Sequence, residues 1–209
     1  MDEKDKSIGE LKTNVQRLES RVESLETQID SNSSYERRDT LILSGELPAR
    51  TETENCSEIV RGLIREKIRL NLHEKDIAMA HRLGKKPLTQ GPDKRSIVFK
   101  LCRRDLKKDI MTACREFRPP FYINESLTPT RSSIVYVIRK ARQKFPGKLG
   151  NCRSVDGNIC VWLPANPEAG PSSGRYNSTR FVINTRLKLD AFLMEKVGCD
   201  SSKFIDKWP

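Results

Sequence analysis

Apolar residues at Ile8, Leu11, Val15, Leu18, Val22, Leu25 and Ile29 follow one another at alternating spacings of three and four. That period predicts a helix over residues 7–29 with one apolar seam in heptad register. No proline interrupts it, and Lys12, Arg17, Glu19, Arg21, Glu23 and Glu26 fill the positions between. A stripe of two positions in seven is narrower than a helix needs to pack on its own domain, and about 22 residues are marginal as an isolated helix in water. The seam therefore predicts self-association. Its β-branched first positions (Ile8, Val15, Val22, Ile29) and leucine fourth positions favour two parallel strands.

A second signal points elsewhere. Arg21-Val22-x-x-Leu25-Glu26 is similar to a short trimerisation motif, in which the arginine packs over the seam and pairs with the glutamate of the next helix. Dimer and trimer both stay open on these residues.

Beyond the seam the period changes. Ser31-Asn32-Ser33-Ser34 predicts the end of the heptads, and Glu36-Arg37-Arg38-Asp39 a charged hinge. Residues 40–45 (TLILSG), 77–83, 97–101 and 121–123 read as strands. Between them, Asn55-x-x-Glu58 caps a helix through Ile68, and Leu106, Ile110, Ala113 and Phe117 mark a second helix that stops before Pro119-Pro120. The order β-α-β-β-α-β is the split-βαβ plan, with helices on one sheet face and the other left open. RNA-recognition domains bind through that open face. After it, Thr128-Pro129 starts a helix carrying Ile134, Ile138, Ala141 and Phe145. Residues 152–155 and 159–163 form a hairpin around Asp156-Gly157, 164–174 a Pro/Gly-rich loop, 181–183 a strand, and 187–197 a last helix. The chain is thus predicted as α+β in three parts: a coiled-coil oligomerisation stalk at 1–35, an RNA-recognition-like domain at 36–123 and a small α+β nucleic-acid-binding domain at 124–209.

Charge sharpens this division. The net charge of +11 is split between residues 1–36, with nine acids and five bases, and the remainder, with 34 bases and 19 acids. An acidic stalk with a basic body points to nucleic acid. Candidate contacts are Arg82, Lys85, Lys86, Lys94, Arg95, Lys100, Arg103, Arg104, Lys107 and Lys108 in the middle part, and Arg131, Arg139, Lys140 and Arg142 beyond it. Aromatic residues are absent from the first strand, and the third has only Phe99, so binding is expected to rest on phosphate contacts and to weaken with salt.

Other chemistries find little support. The six cysteines form no C-x-x-C pair, and the only histidines are His73 and His81, so no metal or other cofactor is expected. The thiols read as reduced and intracellular. The chain lacks a G-x-x-x-x-G-K-S/T loop and a G-x-S-x-G elbow, which argues against an enzyme. Neither a signal peptide nor a membrane span is expected.

The ordered set of segments resembles a known family. Heptads, then Glu36-Arg37-Arg38-Asp39-Thr40-Leu41-Ile42-Leu43-Ser44-Gly45, His81-Arg82-Leu83-Gly84, Ile97-Val98-Phe99-Lys100-Leu101 and Tyr122-Ile123-Asn124-Glu125-Ser126-Leu127-Thr128 are similar to the first open-reading-frame protein of LINE-type non-LTR retrotransposons. The part from Tyr122 to about Phe192 also resembles the C-terminal domain of the baculovirus few-polyhedra protein. The resemblance implies a trimeric coiled coil, a divergent RNA-recognition domain and a C-terminal domain that together coat the element's single-stranded RNA and act as a nucleic-acid chaperone. Single-stranded DNA is the alternative ligand. Cytoplasmic ribonucleoprotein particles are the implied location, with the nucleus as the alternative. In the family a basic pair before the first strand contacts nucleic acid; Arg37 and Arg38 hold that position. Arginines at the start of the C-terminal helix do the same, and here Arg131 is followed by Ser132. The competing reading is a viral or host scaffold protein acting through coiled-coil contacts with other proteins.

Overall fold

The computed structural model describes residues 3–51, 53–84, 94–164, 176–206 and 208. Lys85, Lys86 and all but Pro164 of the 164–174 loop lie outside them. The fold is mixed α+β: a long N-terminal helix, antiparallel sheets and four further helices among the described residues. The chain divides into two compact units. The central unit is Arg37–Leu127 with Ser154–Gly157; the terminal unit is Met1–Glu36, Thr128–Arg153 and Asn158–Pro209.

In the central unit, β1 (Thr40–Gly45), α2 (Cys56–Ile68), β2 (Ile77–Arg82), β3 (Ile97–Leu101), α3 (Arg104–Phe117) and β4 (Phe121–Glu125) follow in order. The strands form an antiparallel sheet in the order β2-β3-β1-β4. Register decides the faces, because neighbours across the ladder share a side. Leu41 pairs with Phe99 and Glu125, and Leu43 with Ile97 and Ile123. Of these, Leu41, Leu43, Ile97, Phe99 and Ile123 form the core with Val60, Ile64 and Ile68 of α2 and Leu106 and Ile110 of α3. Ile42, Val98, His81 and Asn124 fall in register on the opposite face. Asn55 caps α2 by accepting from the backbone of Ser57 and Glu58. Gly45 closes β1 at φ +111°, where a side chain would meet the Phe121 backbone at 3.0 Å.

In the terminal unit, α1 (Glu3–Glu36) runs straight through Ser31–Ser34, where the sequence predicts a break. Serine and asparagine are indifferent inside a helix, not forbidding. Here Asp30 and Ser34 are tied to Arg131, and Ser34 is buried, so tertiary pairing carries the helix onward. α4 (Pro129–Lys144) starts as expected, with Thr128 accepting from the Arg131 N–H. Its buried face (Ile134, Val137, Ile138, Ala141) packs against β6 (Asn158–Pro164) and α5 (Arg186–Val197). β5 (Cys152–Val155), β6 and β7 (Tyr176–Val182) form the second sheet in that order. Between β5 and β6, Asp156 and Gly157, which count with the central unit, both take positive φ, 51° and 80°, the geometry of a two-residue hairpin turn. Phe181 and Phe192 meet with ring centroids 5.3 Å apart. No helix among the described residues is long and apolar enough to cross a membrane.

Candidate nucleic-acid interface

Three of the candidate cations are interior, which corrects the expectation that they face a ligand. Arg82, Lys107 and Arg131 are only 8%, 5% and 5% exposed. The Arg82 guanidinium donates to both Glu54 oxygens, at 2.9 Å for the shortest contact, and to the carbonyls of Pro48 (2.8 Å) and Arg95 (2.9 Å). These bonds hold the Glu54 carboxyl below its usual range, against the burial that pushes it up. Lys107 places its ammonium 2.6 Å from Glu125, 2.7 Å from the Arg38 carbonyl and 3.5 Å from Asp156. Glu125 in turn accepts from the backbone N–H groups of Asp156 and Gly157. Arg131 pairs with Asp30 at 2.7 Å and donates to Ser34 at 2.6 Å, while the Thr128 hydroxyl bonds the other Asp30 oxygen. Each cation is spent on folding.

The remaining cations divide by what stands beside them. Arg37, Lys94 and Lys108 are exposed, and Arg38, Arg95 and Lys100 are half-buried. Arg38 lies beside Asp39, and Arg95 donates to the carbonyls of Leu83 and Gly84. Arg103 is shared between Asp76 and Asp105, and Arg104 faces Asp156 at 3.5 Å. α3 mixes Asp105, Asp109 and Glu116 among its bases. Its charge is largely answered at home.

α4 differs. It contains Arg139, Lys140 and Lys144, all exposed, and the half-buried Arg142, with no Asp or Glu in the whole helix. From 126 to 155 the chain has seven bases and no acid at all. That run is a signal legible in the sequence, yet a count of basic residues alone passes over it. Aromatic rings are interleaved with these charges: the Lys140 ammonium lies 5.6 Å from the Tyr136 ring, Lys144 and Lys148 lie 5.9 and 5.8 Å from Phe145, and Arg153 lies 4.9 Å from Trp162. Tyr136 is half exposed, on the same stripe of α4 as Lys140. At the C-terminal end of the helix, Arg139, Arg142 and Gln143 line a cavity of about 470 Å³. Cys152 forms part of its wall, and burial pushes that thiol up to about 11 despite the nearby Arg139 and Arg142. It is a neutral wall, not a nucleophile.

A second aromatic feature sits on the central unit. Phe99, the one aromatic of the third strand, turns into the core at 0% exposure. Tyr122 of β4 stands out instead, 69% exposed and in register with Ser44. The alternation Phe121, Tyr122, Ile123, Asn124 foretells it once β4 is given its full length.

The seam of α1 is open along its length. Ile8, Leu11, Val15, Leu18, Val22, Leu25 and Ile29 are 48–65% exposed, and Arg21 and Glu26 beside them are exposed too. Among the described residues no cluster of histidine, cysteine and carboxylate side chains is arranged to hold a metal ion. Comparison with known protein families and with curated proteins finds no match for this chain.

Proposed function

We propose that this chain is a homo-oligomeric, non-enzymatic protein that coats single-stranded RNA and acts as a nucleic-acid chaperone. The observation that carries the reading is the acid-free run 126–155, which presents the cations of α4 together with the exposed ring of Tyr136. Phosphates and unstacked bases are the ligand chemistry that such a surface fits. The central unit, with its β2-β3-β1-β4 sheet, takes the role of a divergent RNA-recognition domain. The resemblance to the LINE-type retrotransposon protein supports the element's own RNA as the ligand.

The open α1 seam supports the oligomer, with three copies favoured by Arg21 and Glu26 and by the resemblance. Joining several weak binding surfaces raises the effective concentration of the second and third contact. Individual contacts then release while the assembly stays bound, and strands exchange partners without leaving it.

The test is equilibrium binding to a roughly 30-nucleotide single-stranded RNA at about 50 and 200 mM salt, where about six phosphate contacts lose on the order of a thousandfold in affinity. Deleting residues 1–30 should lower both affinity and strand-annealing rate. A full chain that ignores RNA at low salt overturns the reading, and the seam then belongs to a scaffold with a protein partner.

A further inference from the structure

We propose that the concave C-terminal end of α4 is a socket for one nucleotide of a single strand, its phosphate held between Arg139 and Arg142 and the adjoining base stacked on Tyr136. The inference rests on the single-strand reading above and replaces a diffuse basic patch with a discrete site. The cavity volume of about 470 Å³ falls within the range of about 300–1,000 Å³ typical of small-ligand pockets. Three-residue spacing puts both guanidinium groups on one side of the helix, and neither has an ion-pair partner among the described residues. Two guanidinium groups lining one cavity match the oxygens of a phosphate.

The rest of the lining fits a nucleotide better than a simple anion. Gln143 and Asn151 add amide groups, which both donate and accept as sugar hydroxyls and base edges require. Leu149 and Cys152 close the wall without charge, and no carboxylate lines the cavity. Tyr136 precedes Arg139 by three residues, about 4.5 Å along the helix axis, so a base next to the bound phosphate reaches its ring. By contrast, the cavity of about 700 Å³ beside Arg82 holds a guanidinium already neutralised by Glu54.

The full-length chain tests this against a roughly 30-nucleotide single-stranded RNA. Arg139→Gln/Arg142→Gln should lower the slope of log affinity against log salt by about 0.7, the worth of the one phosphate that the pair holds. Tyr136→Leu should weaken binding about 5- to 150-fold with the slope unchanged. Arg65→Gln/Lys67→Gln, exposed on α2, is the charge-matched control and should leave the slope at its wild-type value. In parallel, uridine 5′-monophosphate should raise the melting temperature of the wild type but not of the Arg139/Arg142 variant, and uridine should raise neither. An equal fall in slope for both double variants overturns the socket in favour of diffuse contact. RNA binding with the wild-type slope in the Arg139/Arg142 variant overturns the socket and leaves the RNA reading standing. Nucleotide stabilisation confined to the wild type, without RNA binding, upholds the socket and sinks the coating reading.

Discussion

The guanidinium of Arg131 and the carboxylate of Asp30, 101 residues apart in the chain, meet at 2.7 Å. With Ser34 and Thr128 they join the end of α1 to the start of α4. Removing one partner strands the other in a poorly solvated site. Arg131→Ala should therefore cost about 3–5 kcal/mol in urea unfolding, while the salt slope of RNA binding by the folded fraction stays at its wild-type value. A lowered slope at full stability would return Arg131 to the ligand-contacting set.

Lys107 and Glu125 form a second interior pair, at 2.6 Å. Lys107→Met and Glu125→Gln should each destabilise by about 3 kcal/mol or more, whereas Lys107→Met/Glu125→Gln should lose much less than the sum. The double variant leaves no buried charge, and the glutamine oxygen still accepts from the backbone N–H groups of Asp156 and Gly157. Strict additivity in this double-mutant cycle would show that the two side chains do not depend on each other.

Glu54 makes stability pH-dependent. Hydrogen bonds from Arg82 lower its folded pKa below the unfolded value of about 4.3. The stabilisation is thus complete above the unfolded value and is lost as pH falls through the folded one, because the unfolded chain takes up the proton first. The unfolding free energy should decline below about pH 5, more steeply in the wild type than in Glu54→Gln. A gap between the two proteins that stays constant from neutral pH to about pH 3 would contradict the pairing.

Thiol reactivity should follow burial. Cys102 is exposed, whereas Cys152, Cys160 and Cys199 are buried and Cys56 and Cys114 are half-buried. Burial pushes the Cys114 and Cys152 thiols up to about 11. Under native conditions a maleimide should label Cys102 first, and the three buried thiols only on the time scale of unfolding, read by peptide mass spectrometry. Early labelling of Cys152 would mean that the cavity wall is open.

Local pattern carried much of the secondary structure. The three-four spacing of the seam, Asn55 and Thr128 as helix caps, and Asp156-Gly157 at the hairpin each act through neighbours within a few residues, so the sequence displays them directly. Side-chain fate is different. Whether Arg82, Lys107 or Arg131 faces a ligand depends on Glu54, Glu125 and Asp30, and those carboxylates are brought close only by folding. The same distant pairing keeps α1 helical through Ser31–Ser34. Counting bases along the chain finds the charge but not its partner. The absence of acids from 126 to 155 is a better guide for the later turns of α4, but it does not mark Arg131, which lies in the same run and is answered by Asp30 from α1.

The clamp at Asp30 and Ser34 fixes the angular phase of the N-terminal helix. Each residue of an α-helix advances the azimuth by about 100°, so one residue inserted after Ile29 would swing the seam by more than a quarter turn relative to the clamped end. Seven inserted residues, two turns, would bring it back to within about 20°. A change in the length of α1 leaves the seam facing the same way only when it restores the azimuth, as seven or eleven residues nearly do and a single residue does not. Rotation, more than reach, is what this joint conserves.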